Sequence, residues 1–162
     1  MGTSDFPGRA DTTVSSTSDK KPLHNYRRPI VAVDIALLTV DPERGLVVAQ
    51  MLRENSGKWA LPGTFVRDGE TLAVAVERCL RDKLGVEGIR PRQLQVFDDP
   101  NRDERDWVIS VAHVAVVRPE QLRALGTGRA GQTRLAPVDR PGEMAWDHPE
   151  IVRLAKNEVR NR

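Results

Sequence analysis

The sequence predicts a single α/β domain, and three observations carry that prediction. Its 162 residues are enough to bury one core. Several short runs rich in β-branched residues read as strands, and one amphipathic stretch between them reads as a helix. Hydrophobic residues at 39% and charged residues at 30% are ordinary for a globular chain.

The elements follow in order. Residues 1 to about 28 are rich in Ser, Thr, Asp and Lys. They carry too little apolar surface to offset the entropy of ordering, so they read as a disordered tail before a folded domain at 29–162. Ile30 to Val40 is β-branched and mostly apolar, a central strand. Asp41 to Gly45 is the turn into a second strand, Leu46 to Leu52. Asn55 to Gly57 is a loop, and Trp59 to Gly63 leads into a short extended piece. In Thr71 to Leu84, Leu72, Ala75, Val76, Cys79, Leu80 and Leu84 recur at helical spacing, and Gly85 supplies the stop. Gln93 to Phe97 and Trp107 to Val117 are strand-like. Pro119 to Leu125 reads as a short helix, Gly126 to Gly131 as a flexible loop, and Leu135 to Val138 as a brief edge element. His148 fits an N-cap, with Pro149 at the first position of a terminal helix.

Composition excludes several functions. No apolar run approaches bilayer length and no secretory h-region opens the chain, so a cytoplasmic protein with no membrane association is expected. One cysteine, Cys79, makes neither an internal disulfide nor a multi-cysteine metal site. The net charge of +2 is spread over basic residues interleaved with acids, and aromatics are only 4%. DNA binding is therefore not expected of this chain alone.

The segment Trp59 to Leu72, continued by Val76 to Val86, resembles the Nudix box, G-x5-E-x7-R-E-U-x-E-E-x-G-U with U a bulky aliphatic. Glu70, Arg78, Leu80, Gly85 and Val86 match this pattern. The opening glycine falls on Thr64, with Gly63 just before it. The three helical glutamates fall on Cys79, Asp82 and Lys83. The resemblance covers about residues 29 to 162. It implies the Nudix fold, a mixed β-sheet sandwiched between α-helices, and a magnesium site facing a nucleoside diphosphate linked to another group. It also implies a homodimer, since family members commonly pair.

The helical positions decide what the chemistry can be. Residues 79, 82 and 83 lie three and four apart on one helical face, where three carboxylates would converge on metal. Magnesium demands hard oxygen ligands, and a thiol at Cys79 supplies none. Lys83 sets a positive charge where the cation would sit. Only Asp82 remains as a metal ligand, so magnesium binding is expected to be weakened. Glu70, Arg78 and Asp82 are the catalytic candidates, and Glu70 with Arg78 also reads as an ion pair bracing the loop on the helix. Cys79 reads as a small core residue rather than a nucleophile. Lys83 has two readings, a surface lysine and a diphosphate contact, and Trp59 has two, loop packing and base stacking. Arg53 and Gly63 complete the ligand-binding candidates of this half.

A second resemblance lies in Val96 to Arg105 running into Trp107 to His113, and in Met144 to His148. Both are similar to segments of a Nudix branch containing ADP-ribose pyrophosphatases and Nudix-related transcriptional regulators of NAD metabolism. In those regulators the domain senses ADP-ribose or a related nucleotide and precedes a winged helix. The present sequence ends at Arg162, so it is expected to be a fragment or to work without that domain. Arg102 and Arg105 fit diphosphate contacts, because guanidinium offers a fixed fork of donors. They fit equally a loop network with Asp99, Asp103 and Asp106. His148 is a ligand contact or only a cap. Three functions follow: a nucleotide diphosphate sensor, a weak hydrolase using Asp82 with Glu54 or Glu70, and a non-catalytic interaction domain.

Overall fold

One central strand organises the molecule, because its side chains are buried on both faces. The computed structural model describes residues 20–123, 125 and 132–162. In it β1 (Ile30–Asp41) buries every residue from Ala32 to Thr39. Asp41 makes the predicted turn, its Oδ1 accepting the amides of Glu43 and Arg44 at 2.9 Å. β2 (Gly45–Leu52) then runs back antiparallel, Leu38 facing Val48 and Asp41 facing Gly45.

Beyond that hairpin the two strands part. Into the gap come β3 (Trp59–Ala60), which pairs with Met51 and Leu52 of β2, and β4 (Gly63–Phe65), which pairs with Ala32 to Asp34 of β1. The peptide between them is tied down by Ile35 N–H donating to the Pro62 carbonyl at 2.9 Å. β5 (Arg92–Phe97) and β6 (Val108–Val116) complete one side, with β6 parallel to β1 and antiparallel to β5. β7 (Thr133–Pro137) pairs antiparallel with β2 on the other side. The result is the mixed sheet that the resemblance implies.

Helices cover both faces, as strand alternation requires. α1 (Leu72–Leu84) packs Ala75, Val76, Cys79, Leu80 and Leu84 on Val33, Ile35 and Leu37. Thr71 caps it by accepting from Val74 N–H, and Gly85 ends it at φ 66°, a left-handed conformation that glycine adopts without steric cost. α2 (His148–Arg160) packs Ile151, Val152 and Ala155 on Ala36 and Leu38. Each fully buried Val, Leu or Ile side chain among these contributes roughly 1.5–3 kcal/mol by burial.

The expected boundaries shift in three places. α2 has Asp147 at its N-cap position and His148 inside its first turn, so His148 is not the cap. The helix expected at 119–125 is a 3-10 turn over Pro119–Leu122. Residues 1–19 of the expected tail and the expected loop 126–131 lie outside the described residues. Within 20–28 there is a short 3-10 turn at Leu23–Asn25, and Arg27 Nη2 bonds Asp106 Oδ1 at 2.6 Å. No helix among the described residues is long and apolar enough to cross a membrane.

Candidate functional site

Where β1 and β2 part, a cavity of about 340 Å³ remains, bordered by β4, the end of α1, the loop before β6 and the approach to α2. Asp34 and Asp103 are its buried acids, and Asp34 stands at the centre of the site's polar contacts. The β1 residues on either side of Asp34 face α1, so its carboxylate faces α2. Ser110 Oγ donates to Asp34 Oδ2 at 2.5 Å, and Arg102 Nη2 stands 3.8 Å from the same oxygen. Burial alone would raise the Asp34 pKa. The His148 ring, the Ser110 hydroxyl and Arg102 together outweigh it, holding the carboxyl below its ordinary value.

His148 is a buried pin. Its Nδ1 accepts the Leu61 amide at 2.9 Å, which leaves Nε2 as the ring nitrogen that carries a proton toward Asp34. That Nε2 lies 3.4 Å from Asp34 Oδ1, close enough for attraction though not aligned as a hydrogen bond. The ring therefore joins α2 to both β1 and the β3–β4 peptide.

The arginines of the loop before β6 separate. The Arg102 side chain is only 3% exposed and grips Asp147 through Nε at 2.9 Å and Nη2 at 2.7 Å. Arg105 is 46% exposed and pairs with Asp103 through Nε at 3.0 Å and Nη2 at 2.7 Å. Its guanidinium also lies 4.8 Å from the Trp146 ring centre and 5.3 Å from that of Phe65. Arg53 covers Trp146 at 4.0 Å and has no carboxylate partner among the described residues. Trp146 takes a left-handed φ of 52°, and its indole N–H donates to Glu104 at 2.8 Å.

The box helix delivers one residue to the cavity. Lys83 reaches its wall, and its ammonium donates to the Gly63 carbonyl. Gly63 must lack a side chain, since a Cβ would sit 2.1 Å from Asp34 Oδ1 and 2.9 Å from the Val33 carbonyl. Cys79, one turn before Lys83, is buried in the core beneath α1. Burial pushes its thiol up to about 11, so it stays neutral.

Several candidates lie elsewhere. Asp82 does not line the cavity: its side chain is 56% exposed and paired with Arg81 at 3.3 Å. Successive helical residues turn by about 100°, so 82 and 83 fall on opposite flanks of the line through 79, and a short Asp cannot reach back. Glu70 and Arg78 make the brace, with Arg78 Nε and Nη2 donating to the two Glu70 oxygens at 2.8 Å each. Arg78 also binds Thr64 Oγ1 at 3.1 Å and the Phe65 carbonyl at 3.0 Å, tying β4 to α1. That Arg78 hydrogen bond draws the Glu70 carboxyl down to about 2. Neither residue touches the cavity. Trp59 also lies outside it, with Arg134 stacked 3.9 Å above its ring. Sequence reasoning missed Asp34, Phe65, Asp103 and Trp146 as cavity residues.

The donors do not fit the magnesium that the resemblance implies. No group of three or more His, Cys, Asp or Glu side chains that could hold a metal ion occurs among the described residues. At the box positions stand a neutral thiol, an ammonium on the Gly63 carbonyl and an exposed Asp82. The cavity instead gathers cationic groups around one indole face, which suits an anion carrying an aromatic ring.

Comparison with known proteins gives a consistent picture. The family model described as the NUDIX domain matches residues 28–155. A protein of Methanocaldococcus jannaschii named ADP-ribose pyrophosphatase is 29% identical over 148 residues, covering 91% of this chain and 85% of its own. A crystal structure of a MutT/nudix family protein from Listeria innocua is 31% identical with a TM-score of 0.73, over 83% of this chain and 97% of that one. The NUDIX domain of Shewanella oneidensis NrtR, solved with ADP-ribose, has a TM-score of 0.71 at 23% identity, over 86% and 94%.

Proposed function

The chain belongs to the NUDIX family, and on that premise we propose that its cavity binds a nucleoside diphosphate derivative such as ADP-ribose, as a sensor with weak or no hydrolysis. The observation that carries this reading is the gathering of Arg53 and Arg105 over the Trp146 ring at the cavity, with Lys83 on the same cavity wall. Guanidinium forks and an ammonium match phosphate oxygens, and the indole face matches a base or ribose edge. Arg102 serves this site indirectly. It holds Asp147, and with it the approach to α2 that carries Trp146.

Weak or absent hydrolysis follows from the box positions. A divalent cation supplies charge stabilisation and activates water in metal-dependent hydrolysis. Here Cys79, Asp82 and Lys83 present no converging carboxylates for it. The competing reading is a divergent hydrolase, favoured by the similarity to the protein named ADP-ribose pyrophosphatase.

Thermal shift and isothermal calorimetry with ADP-ribose test the binding. Saturable heat and a raised melting temperature are expected, since a ligand of the folded state stabilises by mass action. No heat at millimolar ADP-ribose would replace the sensor reading with that of an interaction domain. Turnover of roughly one per second or more in magnesium or manganese would establish the hydrolase instead.

A further inference from the structure

We infer that the Lys83 ammonium takes the place of a divalent cation at this site, so that a diphosphate binds through Lys83 with no metal required. This inference rests on the nucleotide-binding reading above and adds to it the source of the neutralising charge.

Three observations support it. Lys83 is fixed and not a trailing surface chain: its ammonium donates to the Gly63 carbonyl at the cavity wall. An ammonium has three donors, so that one bond leaves two for phosphate oxygens. Second, Lys83 has no carboxylate partner among the described residues, so its charge is not already neutralised. Asp34 is the acid that would compete for it, because its Oδ1 lies against Gly63. That carboxylate is already served by Ser110, by the His148 ring and by Arg102. Third, Cys79, one helical turn back on the same face, is a buried thiol that supplies neither a charge nor a hard ligand to retain a cation beside Lys83. A cation held next to an ammonium would also be repelled by it, and the repulsion is strongest in a partly desolvated cavity. The Lys83 position thus offers a phosphate what a bound metal offers, as a point charge of fixed location.

The test titrates ADP-ribose into the whole protein by calorimetry, in excess EDTA and in millimolar magnesium or manganese, for wild type, Lys83→Gln and Lys83→Arg. Glutamine keeps a donor for the Gly63 carbonyl and removes the charge, and melting temperatures report whether each variant folds. Wild-type affinity is expected to agree within about two-fold in EDTA and in metal. Lys83→Gln should bind about ten-fold more weakly or worse, with Lys83→Arg close to wild type. Wild-type binding that vanishes in EDTA overturns the inference and leaves the nucleotide reading standing. Lys83→Gln binding as tightly as wild type also overturns it, as does equal weakening by Gln and Arg, which would mark a packing role. Absence of wild-type binding under every condition overturns the nucleotide reading itself.

Discussion

Arg102 and Arg105 lie three residues apart in one loop and each forks onto an aspartate, yet they belong to different parts of the molecule. Arg102 is buried and locked between Asp147 and Asp34, so its charge is part of the fold. Arg105 bonds its near neighbour Asp103 and leaves about half its side chain in solvent, with its guanidinium carbon over the Trp146 ring. The same division recurs on α1. Arg78 is engaged by Glu70, Thr64 and the Phe65 carbonyl, whereas among the described residues the Lys83 ammonium bonds only the Gly63 carbonyl at the cavity. A motif selects the residue type at a position. The partner that arrives from elsewhere in the chain decides whether that residue braces or binds.

The sharpest way to break this contrast is Arg102→Met. Removing one partner of a buried pair strands Asp147 and loosens Asp34, and the expected loss is about 3–5 kcal/mol of stability. Urea denaturation measures it. A loss as small as that of an exposed pair would erase the distinction between the two arginines. Arg105→Ala should do the reverse, lowering ADP-ribose affinity about ten-fold by calorimetry while changing stability by only about 0–1 kcal/mol. An unchanged affinity with a large drop in melting temperature would move Arg105 into the fold class.

The smallest effect is in the brace. Glu70 has its carboxyl lowered from 4.5 to about 2 by Arg78, with help from the Arg67 amide. Its contribution is therefore complete above the ordinary carboxylate range, and falls away as pH drops from about 4.5 through about 2. Melting temperature against pH should fall more steeply across that window in wild type than in Glu70→Gln. Parallel curves would mean that the pair contributes nothing to stability.

Much of the fold was legible in the sequence because its signals are local. The periodic stripe of α1, its Thr71 cap and Gly85 stop, and the Asp41 turn each act over a few residues. The Glu70–Arg78 brace was legible for the same reason, since both residues fall on motif positions eight apart. The cavity was harder to read. Asp34 stands in an apolar strand and gains its meaning from Arg102, Ser110 and His148, which arrive much later in the chain. Trp59 sits in the motif segment, where loop packing and base stacking were both open to it, and Arg134 covers its ring outside the cavity. Trp146 holds the cavity position because a left-handed backbone turns it there. That turn had no glycine or asparagine to announce it. The loop arginines were expected to share one fate, and the Asp147 that separates them lies 45 residues from Arg102.

The wedge of β3 and β4 between the parting strands has a kinetic meaning. The β1–β2 hairpin closes through a short turn, but β1 also pairs along nine positions with β6, whose residues lie 78 positions later in the chain, as in Ile30 facing Val108. Such non-local pairing carries a large loop-closure cost before its contacts form, and slows folding. The wedge is joined to β2 and β1 by short ladders of two and three residue pairs, and its connecting peptide needs His148 of α2 in place before the Leu61 amide has a partner. On this account the cavity should form late in folding and open early in unfolding. A molecule bound there should leave the refolding rate almost unchanged and slow unfolding instead, acting as a latch on the finished state.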